Sequence, residues 1–210
     1  MANLKILIAD PKALTLEDFI RKLDVEGSVV LLEGKREVIE ADKERLTEIA
    51  RLLVTKTKHI VFRSGNAGGA DEFFAKGILE VNPTRFQVIT PYGGHRGSDS
   101  ADYQTISLDE INLAKEPDVM YSSKQNAKAK GLIEAFENGQ NKKLSSKASY
   151  LIRDTIKVTG TKAGIAPATF GIFYDDLRDP KTGGTGHTMK MCDLKRVPYV
   201  DQRTWKKWME

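Results

Sequence analysis

Apolar and polar positions along this chain follow two alternating rhythms. Near-continuous aliphatic runs give way to stretches where apolar residues return every three or four positions. "SVVLLEG" (residues 28–34) is of the first kind and closes on glycine, as buried parallel strands do. "ADKERLTEIARLLV" (41–54) is of the second, with Leu46, Ile49 and Leu53 on one helical face and charges opposite. "HIVF" (59–62) reads as a strand, followed by a Gly/Ala-rich turn and a helix to about Glu80. "RFQVITPYGG" (85–94) gives another strand and turn, and "YLIRDTIKVTG" (150–160) another helical pattern. "ATFGIFYDD" (168–176) is a late strand, before the loop "LRDPKTGGTGHT" (177–188), a short helix and the strand "RVPYV" (196–200). "DQRTWKKWM" (201–209) is a capped helical turn whose Trp205 and Trp208 are expected to dock on the body. This β-α-β-α order predicts an α/β fold: a mostly parallel sheet with helices on both faces.

The division expected is an N-terminal extension over residues 1–27 and one domain over 28–210. Within the extension, "LKILIAD" is a candidate edge strand. Residues 92–116 have few hydrophobic anchors and read as a long loop, of the length that functional lids have.

Composition narrows the classes. The 210 residues, 40% hydrophobic and 30% charged, suffice for one sizeable core. No run approaches the roughly 18 to 20 apolar residues that span a bilayer, so no membrane partner is expected. The start "MANLKILIAD" has no basic region and no small-residue cleavage site, so no signal peptide is expected. The single cysteine, Cys192, excludes an intramolecular disulfide and fits a reducing, cytoplasmic setting. A net charge of +4 permits anionic ligands without requiring nucleic acid. His59, His95 and His187 have no metal-ligand spacing with one another or with Cys192, so no bound metal site is expected.

The chemistry concentrates in three polar or glycine-rich turns at predicted strand ends: "EGKRE" (33–37), "SGNAGGAD" (64–71) and "TGGTGHT" (182–188). In an open parallel sheet, ligands sit beyond the carboxyl ends of the strands. A helix N-terminus there offers free N–H groups and a positive dipole end, and glycine lets an anion reach them. Gly183, Gly184 and Gly186 remove side chains from the third turn, while Thr185 and Thr188 can add hydroxyl donors. His187 can contact a phosphate or base. The spacings match neither GxGxxG nor GxxxxGK[ST]. Taken singly, each turn can also be a tight connection in which glycine supplies positive φ.

"SGNAGGAD" resembles the "SGGARGAD" signature of the SLOG superfamily, which groups Rossmann-like proteins related to DprA and the LONELY GUY phosphoribohydrolases. "LLEGKREV" is similar to that family's first strand and "GSR" turn, giving Gly34, Lys35 and Arg36. "GGTGHTMKMCDLKRVPYV" is similar to its late glycine loop, helix and strand. The resemblance spans roughly residues 28–200 with a poorly matched middle. It implies a Rossmann-like fold that binds a nucleotide or nucleotide-derived ligand, with phosphate at the glycine loops. On that basis Ser64, Gly65, Gly68, Gly69 and Asp71 join the candidate ligand-binding residues. Departures are specific: Asn66 replaces a glycine, Gly68 an arginine, and Thr182 a proline. Lys190 stands where the phosphoribohydrolases carry a glutamate, and a cation cannot stabilise a developing oxocarbenium ion.

Arg153, in an otherwise apolar helical pattern, can fork onto phosphate oxygens or form a surface ion pair; an "RN" pair of the family near this point favours the ligand. Asp175 and Asp176 end a strand, where carboxylates hold ribose, bind Mg²⁺, act as general bases or cap turns. With Asp71 they are the catalytic candidates. Mg²⁺ is the only cofactor these carboxylates suggest. Residues 121–160 carry an excess of Lys and Arg, which is either a nucleic-acid face or a solvated helical surface. The reading favoured by the sequence is nucleotide binding through the glycine-rich strand ends. The alternatives are a nucleotide N-glycosidase or phosphoribohydrolase and a DprA-like nucleic-acid binder, and a homo-oligomer stays open.

Overall fold

The computed structural model describes residues 8–97, 100–139 and 142–210, with only the backbone of 142–145. Six strands form one all-parallel sheet: β1 (Val29–Gly34), β2 (Val61–Ser64), β3 (Phe86–Thr90), β4 (Gln104–Ser107), β5 (Phe170–Tyr174) and β6 (Tyr199–Val200). Their spatial order is β4-β3-β2-β1-β5-β6. Among the described residues the α-helices are α1 (Leu16–Leu23), α2 (Glu40–Lys56), α3 (Ala70–Leu79), α4 (Pro117–Lys124), α5 (Ala127–Glu137), α6 (Lys142–Thr159), α7 (Gly183–Lys195) and α8 (Gln202–Trp205).

Every residue of β1, β3 and β5 is buried, which is why these strands read as continuous apolar runs. The two-residue pleat sorts them between two layers. Val30, Leu32, Phe62, Val88, Phe170 and Ile172 pack beneath α1, α2, α3 and the C-terminal α8. Leu31 and Phe173 turn the other way, onto Met189, Met191 and Cys192 of α7. Ile89 meets α4, α5 and α6 through Val119, Ile133 and Ile152. The helices therefore cover both faces, as the element order requires. The tryptophans do dock: the Trp205 indole donates to the Phe173 carbonyl at 3.0 Å and the Trp208 indole to that of Leu14 at 2.7 Å.

One expectation needs correction, and a second lies largely outside the described residues. The segment 92–116 is not a structureless loop, because it contains β4, which pairs with β3 from Gln87↔Gln104 to Thr90↔Ser107. An edge strand is half-exposed, so "QTIS" carries no apolar signature; backbone pairing and a 2.5 Å bond between the Gln87 and Gln104 amides hold it. The edge-strand expectation for "LKILIAD" falls mostly on residues outside those described, and residues 8–10 are not strand. The described part of the extension instead folds as α1. Thr15 caps it by accepting from the Asp18 N–H at 3.1 Å, and Phe19 and Leu23 enter the core.

Phe74, not its neighbour Phe73, is the ring of α3 that is fully buried, 6.3 Å from Trp205. Phe74→Ala is expected to cost about 3–5 kcal/mol, and half-buried Phe73→Ala clearly less. Equal losses in urea unfolding would contradict this packing.

Candidate functional site

Strand order reverses between β1 and β5: the chain leaves β1 towards β2 on one side and reaches β5 on the other. That is the topological switch point, where loops diverge and leave a crevice. A cleft of about 240 Å³ lies there, lined by Lys35, Arg36 and Glu37 after β1, Asp175 and Asp176 after β5, and Thr182 before α7. Three of the glycine-turn residues singled out in the sequence, Lys35, Arg36 and Thr182, thus meet both strand-end aspartates.

Helices α2, α3 and α7 start in the turns after β1, β2 and β5, and their first turns differ. α2 opens with Glu40 and Asp42, and α3 with Asp71 and Glu72, so side chains of their own already sit at the positive dipole ends. α7 has no acidic residue in its first turn and no side-chain cap. The "TGGTGHT" segment is therefore the start of a 13-residue helix rather than a free loop. A side-chain Cβ at Gly183 would meet nothing within 4 Å, and one at Gly184 only Asp154 Oδ2 at 3.4 Å. Thr185 is half-buried. The next turn points inward. Gly186 lies against the Lys181 backbone, and Thr188 Oγ1 donates to Glu33 Oε2 at 3.1 Å. His187 Nδ1 lies 2.9 Å from Asn126 Nδ2, and its Nε2 3.0 Å from Thr155 Oγ1. Burial holds the His187 pKa below the ordinary value, against the pull of Asp154.

The small residues of "SGNAGGAD" make room for the protein itself. A Cβ at Gly65 would lie 2.4 Å from Arg153 Nη1, and one at Gly69 2.1 Å from the Arg36 carbonyl. Gly69 also has φ +85°, a conformation L side chains rarely adopt. Gly34 packs equally closely, on Ala70 and Tyr174. Gly68 alone of the motif's three glycines is open, with only the Arg96 guanidinium near. Asp71 stitches the edge together by accepting from the Gly34 N–H at 2.9 Å and the Ser64 hydroxyl at 3.1 Å.

Beneath the cleft lies a buried charge network whose members, apart from Arg153, went unnoticed in the sequence. Lys157 Nζ sits 2.6 Å from Glu33 Oε2 and 2.8 Å from Asp154 Oδ1. Asp154 also faces Arg153 Nε at 2.9 Å, and Arg153 Nη1 donates to the Gly65 carbonyl. Arg63 is buried beside them and donates to the carbonyls of Lys157 and Ala166, each at 2.8 Å. Burial pushes the Glu33 carboxyl up to about 7, with Asp71 and Asp154 adding to the shift and Lys157 opposing it. Burial also works against ionised Asp154, but Arg153 and Lys157 outweigh it and hold its pKa low. The sequence signals were an acid inside an apolar strand run and three charges on an apolar helix.

The remaining candidates are engaged. Asp175 is buried and its carboxylate accepts from the Lys181 N–H at 3.0 Å. Asp176 pairs with Lys35 at 2.9 Å; that bond, with the N–H groups of Arg178 and Asp179, lowers its pKa to about 2. Among the described residues, no group of three His, Cys, Asp or Glu could hold a metal ion. None of the helices described is long and apolar enough to cross a membrane. A larger groove of about 600 Å³, at the other end of α7 beside β6, has two cations, Lys12 and Arg196, matched by Asp10 and Asp193. Its charges balance, and the one helix start there among the described residues, the 3-10 turn Pro11–Ala13, is capped by the Asp10 carboxylate.

No protein-family model matches the chain, and no curated protein does. Among solved structures it is similar to DNA processing protein A from Helicobacter pylori, which was determined to describe that protein's single-stranded DNA binding mode. The two are 14% identical, over 96% of this chain and 78% of that one, with a TM-score of 0.48. Function does not transfer between chains at that distance.

Two outcomes test this geometry. Gly69→Ala should lower the melting temperature sharply, because the added methyl meets backbone at a strained φ, whereas Gly184→Ala should melt near the parent. The second concerns pH. A carboxyl raised from 4.5 to about 7 binds its proton more tightly in the folded state, so its contribution to stability is lost as pH rises across that window. Glu33→Gln should flatten this fall, by up to about 1.4 kcal/mol per pH unit. An unchanged slope in urea unfolding would show that Glu33 titrates normally.

Proposed function

We propose that this chain binds a nucleotide or nucleotide-derived ligand, with a phosphate held between Lys35, Arg36 and the N-terminus of α7. One observation carries the reading: the start of α7, acid-free and uncapped unlike the acidic first turns of α2 and α3, opens onto the switch-point cleft beside Arg36, which has no ion pair among the described residues, and Lys35, which Asp176 pairs. Backbone N–H groups and the dipole end favour an anion there, and Gly183 and Gly184 leave the approach open. Ser64, Gly65, Gly69, Asp71 and Arg153 then serve as framework around the ligand edge, and Gly68 as an open face of it.

Binding is favoured over base cleavage by the state of the carboxylates. Asp176 is paired with Lys35 and held ionised, while the Asp71 carboxylate is occupied by the Gly34 N–H and the Ser64 hydroxyl and that of Asp175 by the Lys181 N–H. Lys190 occupies the helix position where the phosphoribohydrolases carry their glutamate. A nucleic-acid strand presents the same phosphate chemistry, and exposed Lys128, Lys130 and Lys147 on α5 and α6 would suit it. A steep loss of oligonucleotide affinity with salt, over several phosphates, would favour that reading.

Gly184→Val places a branched side chain where the anion must approach. The expected result is a normally folded protein that has lost the thermal shift given by nucleoside monophosphates. A folded variant that keeps the full shift would move the phosphate away from α7. Base release from those nucleotides is expected to be absent; turnover abolished by Asp176→Asn would make the protein a hydrolase instead.

A further inference from the structure

A second group of residues lies along the same edge, past β2, and the proposed phosphate site does not account for it. After β3 the chain turns through Tyr92, His95 and Arg96. His95 is buried, and its Nε2 lies 3.1 Å from the Tyr150 hydroxyl while its Nδ1 has no hydrogen-bond partner among the described residues. The Tyr92 ring stands edge-on to His95 at 5.0 Å and is 43% exposed. Arg153 lies 5.5 Å over the Tyr150 ring. Arg96 is held at φ +55° with its guanidinium over open Gly68, and Asn66, facing it across the loop, is held at φ +52°. Non-glycine residues in that conformation cost energy and cluster where ligands are gripped.

Among the described residues, the charges acting on His95 are all positive. Burial lowers the His95 pKa, and Arg153, Arg96 and Arg36 all lower it further, with no carboxylate opposing them. Arg153 is neutralised by Asp154, but among the described residues neither Arg36 nor Arg96 has an ion pair. Arg36 also lines the switch-point cleft, so it belongs to both places. A neutral base would find a stacking face at Tyr92 but would leave Arg36 and Arg96, both of which act on His95, without a counter-ion among the described residues. An anion supplies one, and the fork of Arg96 suits phosphate oxygens.

We infer that Arg96, Arg36 and His95 form a second anion subsite, so that the ligand of this edge is a nucleoside diphosphate or longer polyphosphate rather than a monophosphate. The inference rests on the phosphate site proposed at α7 and names the class of ligand it takes. The first phosphate sits at Gly183 and Gly184, and the next reaches across Arg36 to Arg96.

Calorimetric titration of the full chain with AMP, GMP, CMP and UMP, and with the matching diphosphates, tests it. For the preferred base, the diphosphate should bind at least about tenfold tighter than the monophosphate. In Arg96→Gln that ratio should collapse below about threefold, because the second phosphate loses its fork. Equal affinities in the parent, or a ratio unchanged in Arg96→Gln, would overturn the second subsite. If Gly184→Val still abolished monophosphate binding in that case, the α7 reading would stand without it. Tyr92→Ala weakening mono- and diphosphate alike, with the Arg96→Gln ratio intact, would make this the base pocket and overturn the inference. A parent chain that bound none of the eight nucleotides would remove both readings together.

Discussion

The carboxyl edge of the sheet depends on burying charge without leaving it unpaired. Glu33 from β1, Arg63 from β2, and Arg153, Asp154 and Lys157 from α6 lie within the protein, and Asp71 of α3 joins them at the strand ends. Three carboxylates thus face three cations. Such a cluster contributes little net stability over an apolar core of equal volume, but removing one partner strands a buried charge and costs several kcal/mol. What the cluster secures is placement. Lys157 ties α6 to β1, Arg153 ties it to the turn after β2, and Thr188 ties α7 to Glu33. The start of α7 is therefore fixed relative to the ends of β1 and β2 by polar bonds rather than by apolar contact alone.

This network also explains what the sequence showed and what it hid. β1, β3 and β5 were legible because strands covered on both faces need continuous apolar runs. β4 was not, because an exposed edge can be built from "QTIS" with no apolar rhythm. The dense small residues of 64–71 announce that something approaches the backbone closely, and that inference holds. The sequence cannot say whether the visitor is a ligand or the protein's own Arg153 and Arg36, because the two lie 88 and 33 positions away from Gly65 and Gly69. Helical periodicity could have placed His187 and Thr188. Counted from a helix beginning at Gly183, they share the inward face with Met191 and Cys192.

The same physics sets how the proposed ligand must be held. The switch-point cleft opens to solvent, and Arg36 and Arg96 are exposed. A single ion pair near 4 Å in bulk water is worth only about 1 kcal/mol, and salt screens it further. One phosphate between two such cations would bind weakly. Useful affinity in an open cleft has to come from contacts that solvent does not screen, or from several anionic groups on one molecule. The N–H groups at the start of α7 supply the first kind, since they are fixed in direction by a helix anchored through Thr188 to the buried network. In the proposed arrangement Arg36 and Arg96, neither in an ion pair among the described residues, supply places for the second. A molecule with one negative charge uses only part of this edge, and one with several along its length can use all of it.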